Sequence, residues 1–585
     1  MPDPEPRPLS RPRPPAERHA GVSAHAQGQT LHSLRLGVLP LLDRFLQRLR
    51  LDHFLGAFLP PEDARLKIAT ATGLILLIKN VLVSRQPLYG VGDWARRHPP
   101  ECFHLSAGQL RHWNDDRLGR GLDRLFHADV ASLTLAVVTH AVGEFDVALD
   151  ELHNDSTTIT FHGGYASAAE ETSVRGWTAP VITWGHNKDH RPDLKQLLYI
   201  LTVTRDGGIP VQFRVQSGNT ADDRTHRATW DLLCQLTGRR DFLYVADCKL
   251  ATVENMAYVH QHGGHFLSIL PRTRAEDAQF RAALAEGRVT WALIHEKRDE
   301  KKEVVDRYSI AAPAAVSAEG YRLIWCHSTR KAELDALARH RQVERGLLEL
   351  SELRHKLSSP RSRYRERARV EKAAAAILEA RGISRWVAIA IREKTEESFR
   401  QEGRGRPTKT TRYVREERTR VELAYRIDHE ALAAEARFDG IFPLITNELN
   451  LTEEELLLAY KCQPAIEKRF SHLKTDFEVA PVYLEDVKRI HALLCVYFFA
   501  LLTEALLERE LRRAMSRAGV ESLPLYPEGR ANRRPTARRV IDLFEEVQRH
   551  ELQVEGQPPV PFTTELSRLQ RQILGLLGMP DAFGS

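Results

Sequence analysis

Hydrophobic positions recur with two different periods along this chain. From Leu31 to about Val142 they are spaced by three and four residues, as in LLDRFLQRLRLDHFL, which predicts helices. After Gly143 the period changes to two, so FDVALDELHNDSTTITFHG predicts a strand or hairpin. LLYILTVT (197–204) and IPVQFRVQ (209–216) are separated by DGG, which predicts a β-hairpin. The pattern indicates a helical N-terminal domain, 31–142, followed by a β-rich domain.

Helices and strands alternate from about residue 219 to residue 271. The pattern predicts a helix that ends at Gly238, then a buried strand, FLYVADCKL, with Asp247 near its C-terminal end. A second helix, TVENMAYVHQH, and the strand HFLSILP follow. The predicted order is β-β-β-α-β-α-β, in which three antiparallel strands precede alternating α/β units. We therefore predict an α/β core, a mixed sheet of five strands with flanking helices, whose first part covers 143–271.

This alternation stops between residues 272 and 445. Short β-like runs there surround a charged helical stretch, 330–382, and a basic run, 400–420, that predicts a mobile loop or hairpin. Because so long an excursion needs packing of its own, 272–445 is predicted to be an inserted subdomain. The core is expected to resume over 446–513 with a strongly apolar helix that packs against the sheet. Residues 514–585 are expected to form a basic helical tail.

Composition adds limits to the possible functions. The chain has 585 residues, of which 42% are hydrophobic and 28% charged, and a net charge of +6, so it is globular in class and permits a nucleic-acid partner. Its six cysteines have no paired spacing, which predicts neither a zinc site nor a disulfide framework. No apolar run reaches about 18 residues, so no membrane partner is expected. Residues 1–30 are proline-rich and basic and are expected to be disordered.

Basic side chains recur in the N-terminal helical domain, in QLRHWNDDRLGRGLDRLF (109–126). Such a helix could lie on DNA, and a solvated basic face is an equally good interpretation. These positions are Arg111, Arg117, Arg120 and Arg124.

The segment 451–474 carries the most informative local chemistry. If it is one helix, Tyr460, Gln463, Glu467 and Lys474 share a narrow stripe next to an apolar one. Pro464 offers another interpretation, because proline is best tolerated in the first turn of a helix. In that case Gln463 caps a new helix that carries Glu467 and Lys474. Taken by itself, the segment is also explained by an ordinary amphipathic helix with a Glu and a Lys on its surface. The apolar stripe consists of Ile466, Phe470, Leu473 and Phe477.

Two acidic residues upstream give the segment more significance. Asp155 lies in the first predicted strand and Asp247 at the end of a later one, and ligands of α/β sheets bind at strand ends. Together with Glu467 they could hold two Mg²⁺ ions about 3.5–4 Å apart, as in-line phosphoryl transfer requires. Taken singly, a strand Asp is more often a turn or capping residue.

The ordered motifs resemble a DDE transposase of a bacterial insertion sequence, with an RNase H-like catalytic core. The resemblance covers about residues 140–510. It is closest to the branch whose third acidic motif is Tyr-x2-Arg-x3-Glu-x6-Lys, matched by Tyr460, Glu467 and Lys474. Asp155 in NDSTT and Asp247 in YVADCKLAT match the other two acidic motifs. Connecting signatures of the family are matched by GHNKDHRPDLKQ (185–196), QSGNTADD (216–223) and FDGIFPLITN (438–447).

The resemblance implies a cut-and-paste DNA transposase that cleaves the element ends and transfers the strands to target DNA. Asp155, Asp247 and Glu467 would then be catalytic and bind two Mg²⁺ ions, for which Mn²⁺ could substitute. Tyr460, Gln463 and Lys474 would contact DNA. The implied partners are double-stranded transposon ends and target DNA, bound by a homodimer in the synaptic complex. The implied location is the bacterial cytoplasm, at the nucleoid.

One position departs from the motif, because Gln463 stands where the family has arginine. A neutral amide cannot hold a phosphate by charge, and Lys461 or Arg469 could take its place. Two other functions therefore stay open. One is a catalytically idle DNA-binding protein derived from a transposase, and the other is a nuclease without strand transfer.

Overall fold

The computed structural model describes the chain in several ranges. These are residues 24–26, 29–63, 66–162, 165, 173–174, 177–299, 301–359, 362–364, 366–403, 405–409, 411–476, 484, 486–526 and 528–583. The chain divides into two compact units, one formed by Met1–Phe266 with Ala459–Ser585 and the other by Leu267–Leu458. The predicted insertion, 272–445, lies within the second unit.

The first unit begins with two short strands and then becomes helical, as predicted. Several of these helices have a polar face and an apolar face, and the apolar faces supply leucine and phenylalanine side chains to the core. The elements are β1 (Ala24–Ala26), β2 (Gln29–Arg35), α1 (Leu39–Arg48), α2 (Leu51–Phe58), α3 (Thr70–Val83), α4 (Leu88–Ala95), α5 (Ala107–Arg111), α6 (Asp115–Phe126) and α7 (Val130–Phe145).

The predicted β-rich part follows in the first unit. Its elements are β3 (Glu151–Phe161), β4 (Ser173–Val174), β5 (Trp177–Thr178), β6 (Lys195–Thr204), β7 (Pro210–Ser217), α8 (His226–Thr237), β8 (Leu243–Ala246), α9 (Val253–Gln261) and β9 (His265–Ile269). The strand order is β7-β6-β3-β8, in which β6 is antiparallel to both β7 and β3, and β8 is parallel to β3. The predicted β6–β7 hairpin and the mixed sheet with flanking helices are confirmed.

The second unit holds the last residues of β9 and further strands that pair in order with it. Its elements are α10 (Ala275–Ala285), β10 (Thr290–Arg298), β11 (Val304–Ala312), β12 (Ala315–Val316), β13 (Arg322–Ser328), α11 (Thr329–Ser358), α12 (Arg367–Ala380), β14 (Val387–Gln401), β15 (Tyr413–Ile427), α13 (His429–Ala436), β16 (Ile441–Thr446) and α14 (Glu453–Tyr460), which ends in the first unit. The sheet order is β10-β11-β13-β16-β9.

Strands β14 and β15 form a long two-stranded ribbon. One end of the ribbon packs in a small hydrophobic core, and the other end carries the basic run 400–420. Fifteen residues of each strand pair in antiparallel register, and α11 and α12 pack on the end away from the basic run through Leu350, Val370 and Leu423. The basic run 400–420 is therefore the far end of a hairpin, one of the two predicted possibilities.

The chain returns to the first unit through helices and a second small sheet. These elements are α15 (Pro464–Ser471), a π-helical turn (His472–Asp476), α16 (Val487–Arg517), α17 (Ala537–Leu543), β17 (Gln548–Val554), β18 (Val560–Thr563) and α18 (Arg568–Leu576). Strand β17 pairs antiparallel with β2, so Gln548 lies opposite Arg35. The prediction of a purely helical C-terminal tail is therefore wrong. The predicted disordered tail also contains β1, and residues 1–23 and 27–28 lie outside the described residues.

Helix α16 is the central apolar helix of the first unit. It packs against β7, as predicted, and against α3 and α6. By length and composition it is long and apolar enough to cross a membrane, although no apolar run of about 18 residues predicts such a span. Because 89% of its most apolar 18-residue window is buried, α16 has the environment of an interior helix.

Candidate active site

Asp155 and Asp247 lie at neighbouring positions of two parallel strands. Asn154 of β3 is paired with Ala246, the last residue of β8. Asp155 is the next residue of β3, and Asp247 directly follows β8. Neighbouring strands lie about 4.8 Å apart, so the two carboxylates leave the sheet close together. The charge of Asp247 contributes to raising the pKa of Asp155. The sheet topology therefore joins the first two predicted acidic residues.

Glu467 comes from a short helix that packs against this sheet. Helix α15 begins at Pro464, with Gln463 at the N-cap position, and it packs against β3 and β6. The interpretation with a helix break at Pro464 is confirmed, and a single helix over 451–474 is wrong. The side chain of Gln463, however, makes no capping hydrogen bond. Of the apolar stripe, Ile466, Phe470 and Leu473 are buried, and Phe477 lies outside the described residues.

The charges of all three acidic residues act on Tyr460. It is the last residue of α14, and burial is the main reason why the pKa of its hydroxyl is raised. The charges of Asp247, Asp155 and Glu467 raise this pKa further. Acidic residues from three separate parts of the chain therefore influence one tyrosine hydroxyl.

The carboxyl of Asp155 is partly buried next to other charged groups. Burial raises the pKa of Asp155 to about 6, and the charges of Asp247 and Asp222 act in the same direction. The ammonium of Lys188 and a 2.7 Å hydrogen bond from the backbone N–H of Ser156 oppose this rise. A half-buried carboxyl that shares its surroundings with other carboxylates is a favourable ligand for a cation.

Two residues of this site were not among the predicted ones. Lys188 places its Nζ 3.7 Å from Oδ1 of Asp155 and 3.1 Å from Oδ2 of Asp222. Lys188 belongs to the segment 185–196 and Asp222 to the segment 216–223, which match connecting signatures of the family. In the sequence, only the charges of Lys188 and Asp222 within these segments could have indicated a role at the site. The fold shows that both residues lie near Asp155.

Lys474 also reaches the 185–196 segment. Its Nζ donates hydrogen bonds to Oδ1 and Oδ2 of Asp189, at 2.7 and 2.9 Å. The predicted contact of Lys474 with DNA stays a prediction. The ion pair fixes the π-helical turn after α15 to the loop that carries Lys188.

Arg469 is not available to replace the missing motif arginine. Its side chain is 2% exposed and donates to the carbonyl oxygens of Gly208, at 2.9 Å, and Gly207, at 3.0 Å. It also lies 3.2 Å from Glu508 of α16. The expectation that Arg469 could contact a phosphate is therefore wrong, because this guanidinium is an internal anchor of α15. At Gln463 itself, the Oε1 atom is buried without a hydrogen-bond partner among the described residues.

A second group of acidic residues lies close to these anchors. Oxygen and nitrogen atoms of His472, Glu504 and Glu508 lie within 4.8 Å of one another. Glu508 is, however, paired with Lys468, Arg469 and Arg512. Because three cations already surround Glu508, a divalent metal ion is disfavoured here.

Comparison with known proteins gives limited matches. Residues 31–139 match the family described as a domain of unknown function, DUF4277. This DUF4277 segment covers β2 through most of α7. No curated protein matches the chain.

A structural comparison matches the chain to a piggyBac transposase synaptic complex with hairpin DNA. The identity is 8% and the TM-score 0.24, and the match covers 50% of this chain and 59% of that chain. So low a TM-score carries no argument about fold or function. The aligned part spans less than two thirds of the matched transposase chain.

Proposed function

We propose that this protein is a DDE transposase, which cleaves DNA at the ends of a mobile element and joins the strands to target DNA. The observation that supports this most is the position of Asp155 in β3 and of Asp247 directly after the neighbouring parallel strand β8, with Glu467 on α15, which packs against β3. Their ordered motifs also match the family resemblance. The mixed sheet that carries Asp155 and Asp247 is compatible with an RNase H-like core.

The donor set fits a hard divalent cation. Carboxylate oxygens are the ligands that Mg²⁺ prefers, and burial together with the nearby charges of Asp247 and Asp222 raises the pKa of Asp155. Asp155, Asp247 and Glu467 would hold two Mg²⁺ ions, or Mn²⁺ in their place. When bound, the ions supply an activated oxygen nucleophile and stabilise the leaving oxygen. The parallel strands β3 and β8 fix two of the ligands, and α15 adds the third.

DNA contacts are proposed for two basic surfaces, each within one unit. In the first unit, Arg111 and Arg120 are exposed, whereas Arg124 donates to the carbonyl oxygen of Pro61. In the second unit, the ribbon end exposes three cationic side chains for which no ion pair with a described residue is found, and cations in such positions can contact phosphates. These are Arg406, Lys409 and Arg412.

Two DNA ends must be brought together in such a reaction, so we propose a homodimer in the synaptic complex. Tyr460, Gln463 and Lys474 are proposed to face the phosphates of the transposon end. Asp189 would then exchange its ion pair with Lys474 for solvent or another cation when DNA binds.

The affinity of the protein for Mn²⁺ is expected to fall by about tenfold between pH 7 and pH 5. With a pKa of about 6, Asp155 is mostly protonated at pH 5 and must release its proton before a cation binds. The same raised pKa means that the metal-free protein loses stability as the pH rises through 6, because the charged carboxyl is the disfavoured form. Isothermal titration of Mn²⁺ at several pH values measures the effect, with circular dichroism at pH 5 as the folding control. An affinity independent of pH would contradict the assignment of Asp155 as a ligand.

The decisive test of the proposed function is a cleavage and joining assay on labelled DNA that carries the element's own ends. It is run with Mg²⁺ and with EDTA, beside the Glu467→Gln variant. Metal-dependent nicks followed by joined products, both absent in the variant, support the transposase. Nicks without joined products favour a nuclease.

Specific DNA binding without any nick would favour the alternative, a catalytically idle DNA-binding protein. The observation behind this alternative is Gln463, which occupies the motif position of arginine. Intact inverted repeats on both sides of the coding region would argue for mobility.

The Gln463→Arg variant is expected to keep or increase the cleavage rate if position 463 faces a phosphate. An arginine would restore a charged, bidentate donor at the start of α15. Rates of nicking under single-turnover conditions measure the effect, and Gln463→Met is the matched variant without a donor. A strong loss of activity in Gln463→Arg would show that the amide has a different local role.

A further inference from the structure

Lys188 holds an unusual position for a cation next to a proposed metal site. Its Nζ donates to the backbone oxygen and to Oγ of Ser156, both at 2.7 Å. The same atom lies between the carboxylates of Asp155 and Asp222, at 3.7 and 3.1 Å. The side chain of Lys188 is 29% exposed, so the ammonium is partly shielded from water. These contacts fix one positive charge at the edge of the carboxylate group.

The loop that carries Lys188 is itself held in place. The backbone N–H of Lys188 donates to Oγ1 of Thr158 on β3, at 3.3 Å. Oδ1 of Asn187, a buried residue, accepts from the N–H groups of Asp189, at 2.8 Å, and Arg191, at 3.2 Å. Asp189 in turn pairs with Lys474. These contacts hold the backbone of the loop, so the fold places the side chain of Lys188 next to Asp155 and Asp222.

The charges around Lys188 indicate what this position does. The Nζ atom of Lys188 lies within ion-pair distance of two carboxylates, those of Asp155 and Asp222. The charge of Asp247 also acts on Asp155, so one ammonium lies beside a group of three aspartates. A divalent cation that binds Asp155 must therefore overcome the repulsion of the ammonium 3.7 Å away.

We propose that Lys188 is the internal counter-cation of the carboxylate group, which competes with divalent cations for Asp155 and is displaced when they bind. The proposal rests on the proposed function, because it takes Asp155, Asp247 and Glu467 as metal ligands. Once displaced, the ammonium stays on the same loop and can pair with an anionic oxygen such as a DNA phosphate. Lys188 is thus a positioning residue for Asp155 in the metal-free protein. A structural brace for β3, through Ser156, is the competing explanation.

The test compares Mn²⁺ binding by the full chain in three variants. Lys188→Met is expected to bind Mn²⁺ more tightly than the wild type, by a factor on the order of ten, because the competing charge is gone. Lys188→Arg keeps the charge and is expected to bind within about twofold of the wild type. The matched control is Arg191→Met in the same loop, where the guanidinium pairs with Asp193, is half exposed and makes no contact with the site carboxylates. Its Mn²⁺ affinity is expected to be unchanged.

A second measurement uses only the wild-type protein, so it is independent of whether a variant folds. Acetylation of Lys188 by acetic anhydride, followed by mass spectrometry, is expected to increase severalfold when Mn²⁺ is added, with Lys195 as the internal reference. Unchanged or weaker Mn²⁺ binding by a folded Lys188→Met variant, or unchanged acetylation of Lys188, would overturn the proposal and favour the brace. If the wild type binds Mn²⁺ in these experiments, only the proposal for Lys188 is overturned and the proposed metal site still stands. If the wild type binds no Mn²⁺, both proposals fail.

Discussion

The variants Asp155→Asn, Asp247→Asn and Glu467→Gln are each expected to lose DNA strand cleavage by about 10³-fold or more while they still bind DNA. Each exchange removes a negative ligand oxygen at nearly constant volume, and a loss of this size corresponds to about 4 kcal/mol of transition-state stabilisation. The fold should persist, since the strands β3 and β8 and the helix α15, which position these residues, are formed by backbone hydrogen bonds. Single-turnover nicking of labelled end DNA measures cleavage, and gel-shift titration measures DNA binding.

A suitable control is Asp193→Asn, which removes a carboxylate from an exposed ion pair with Arg191. Its cleavage rate should stay close to that of the wild type. Equal loss of DNA binding in all three site variants would contradict the assignment as metal ligands. It would show that these carboxylates support the fold or the DNA contact itself.

The second large effect is expected for Arg469→Met, which should destabilise the protein by about 3–5 kcal/mol. Arg469 joins α15 to the turn between β6 and β7, through Gly207 and Gly208, and to Glu508 on α16. Burial acts to raise the pKa of Glu508, yet the nearby cations, Arg469 first, lower it to about 2. Removal of the guanidinium leaves the carbonyl oxygens of Gly207 and Gly208 without this hydrogen-bond donor, and it removes one of the cations that pair with the buried carboxylate of Glu508. We also expect cleavage to fall, because Glu467 lies on the same short helix.

Thermal unfolding measures the loss of stability, and the midpoint is expected to fall by roughly 5–15 °C. Lys468→Met is the matched control. Lys468 pairs with the same Glu508, but its side chain is 37% exposed, so its removal should cost about 1 kcal/mol or less. If Arg469→Met unfolds at the wild-type temperature, the guanidinium is not the anchor of α15.

Local sequence signals were sufficient for several parts of the site. Strand β3 with Asp155, the β6–β7 hairpin and the buried strand before Asp247 each follow from a short pattern of alternating or apolar residues. The break at Pro464 follows from the missing N–H of proline. These features depend on neighbours in the sequence, so the sequence alone predicts them.

Other features depend on contacts between residues that are far apart in the sequence. Strand β17 has a mixed pattern of charged and apolar residues, QRHELQV, and it becomes a strand because β2, about 500 residues earlier, pairs with it. Arg469 resembles a surface cation in the sequence, but the carbonyl groups of Gly207 and Gly208 and the carboxylate of Glu508 make it an internal one. Neither partner lies within its own helix.

The amino-acid sequence by itself determined which residues carry the candidate chemistry: three carboxylates, each in an element that local periodicity predicts. Only the tertiary structure decided their surroundings. It placed Lys188 and Asp222 beside Asp155, and Asp189 beside Lys474. The physical reason is that the charge and burial of a side chain are set by whatever the fold brings near it in space. Local propensity determines strands and helix breaks, whereas the partners of a buried charge come from the packing of distant segments.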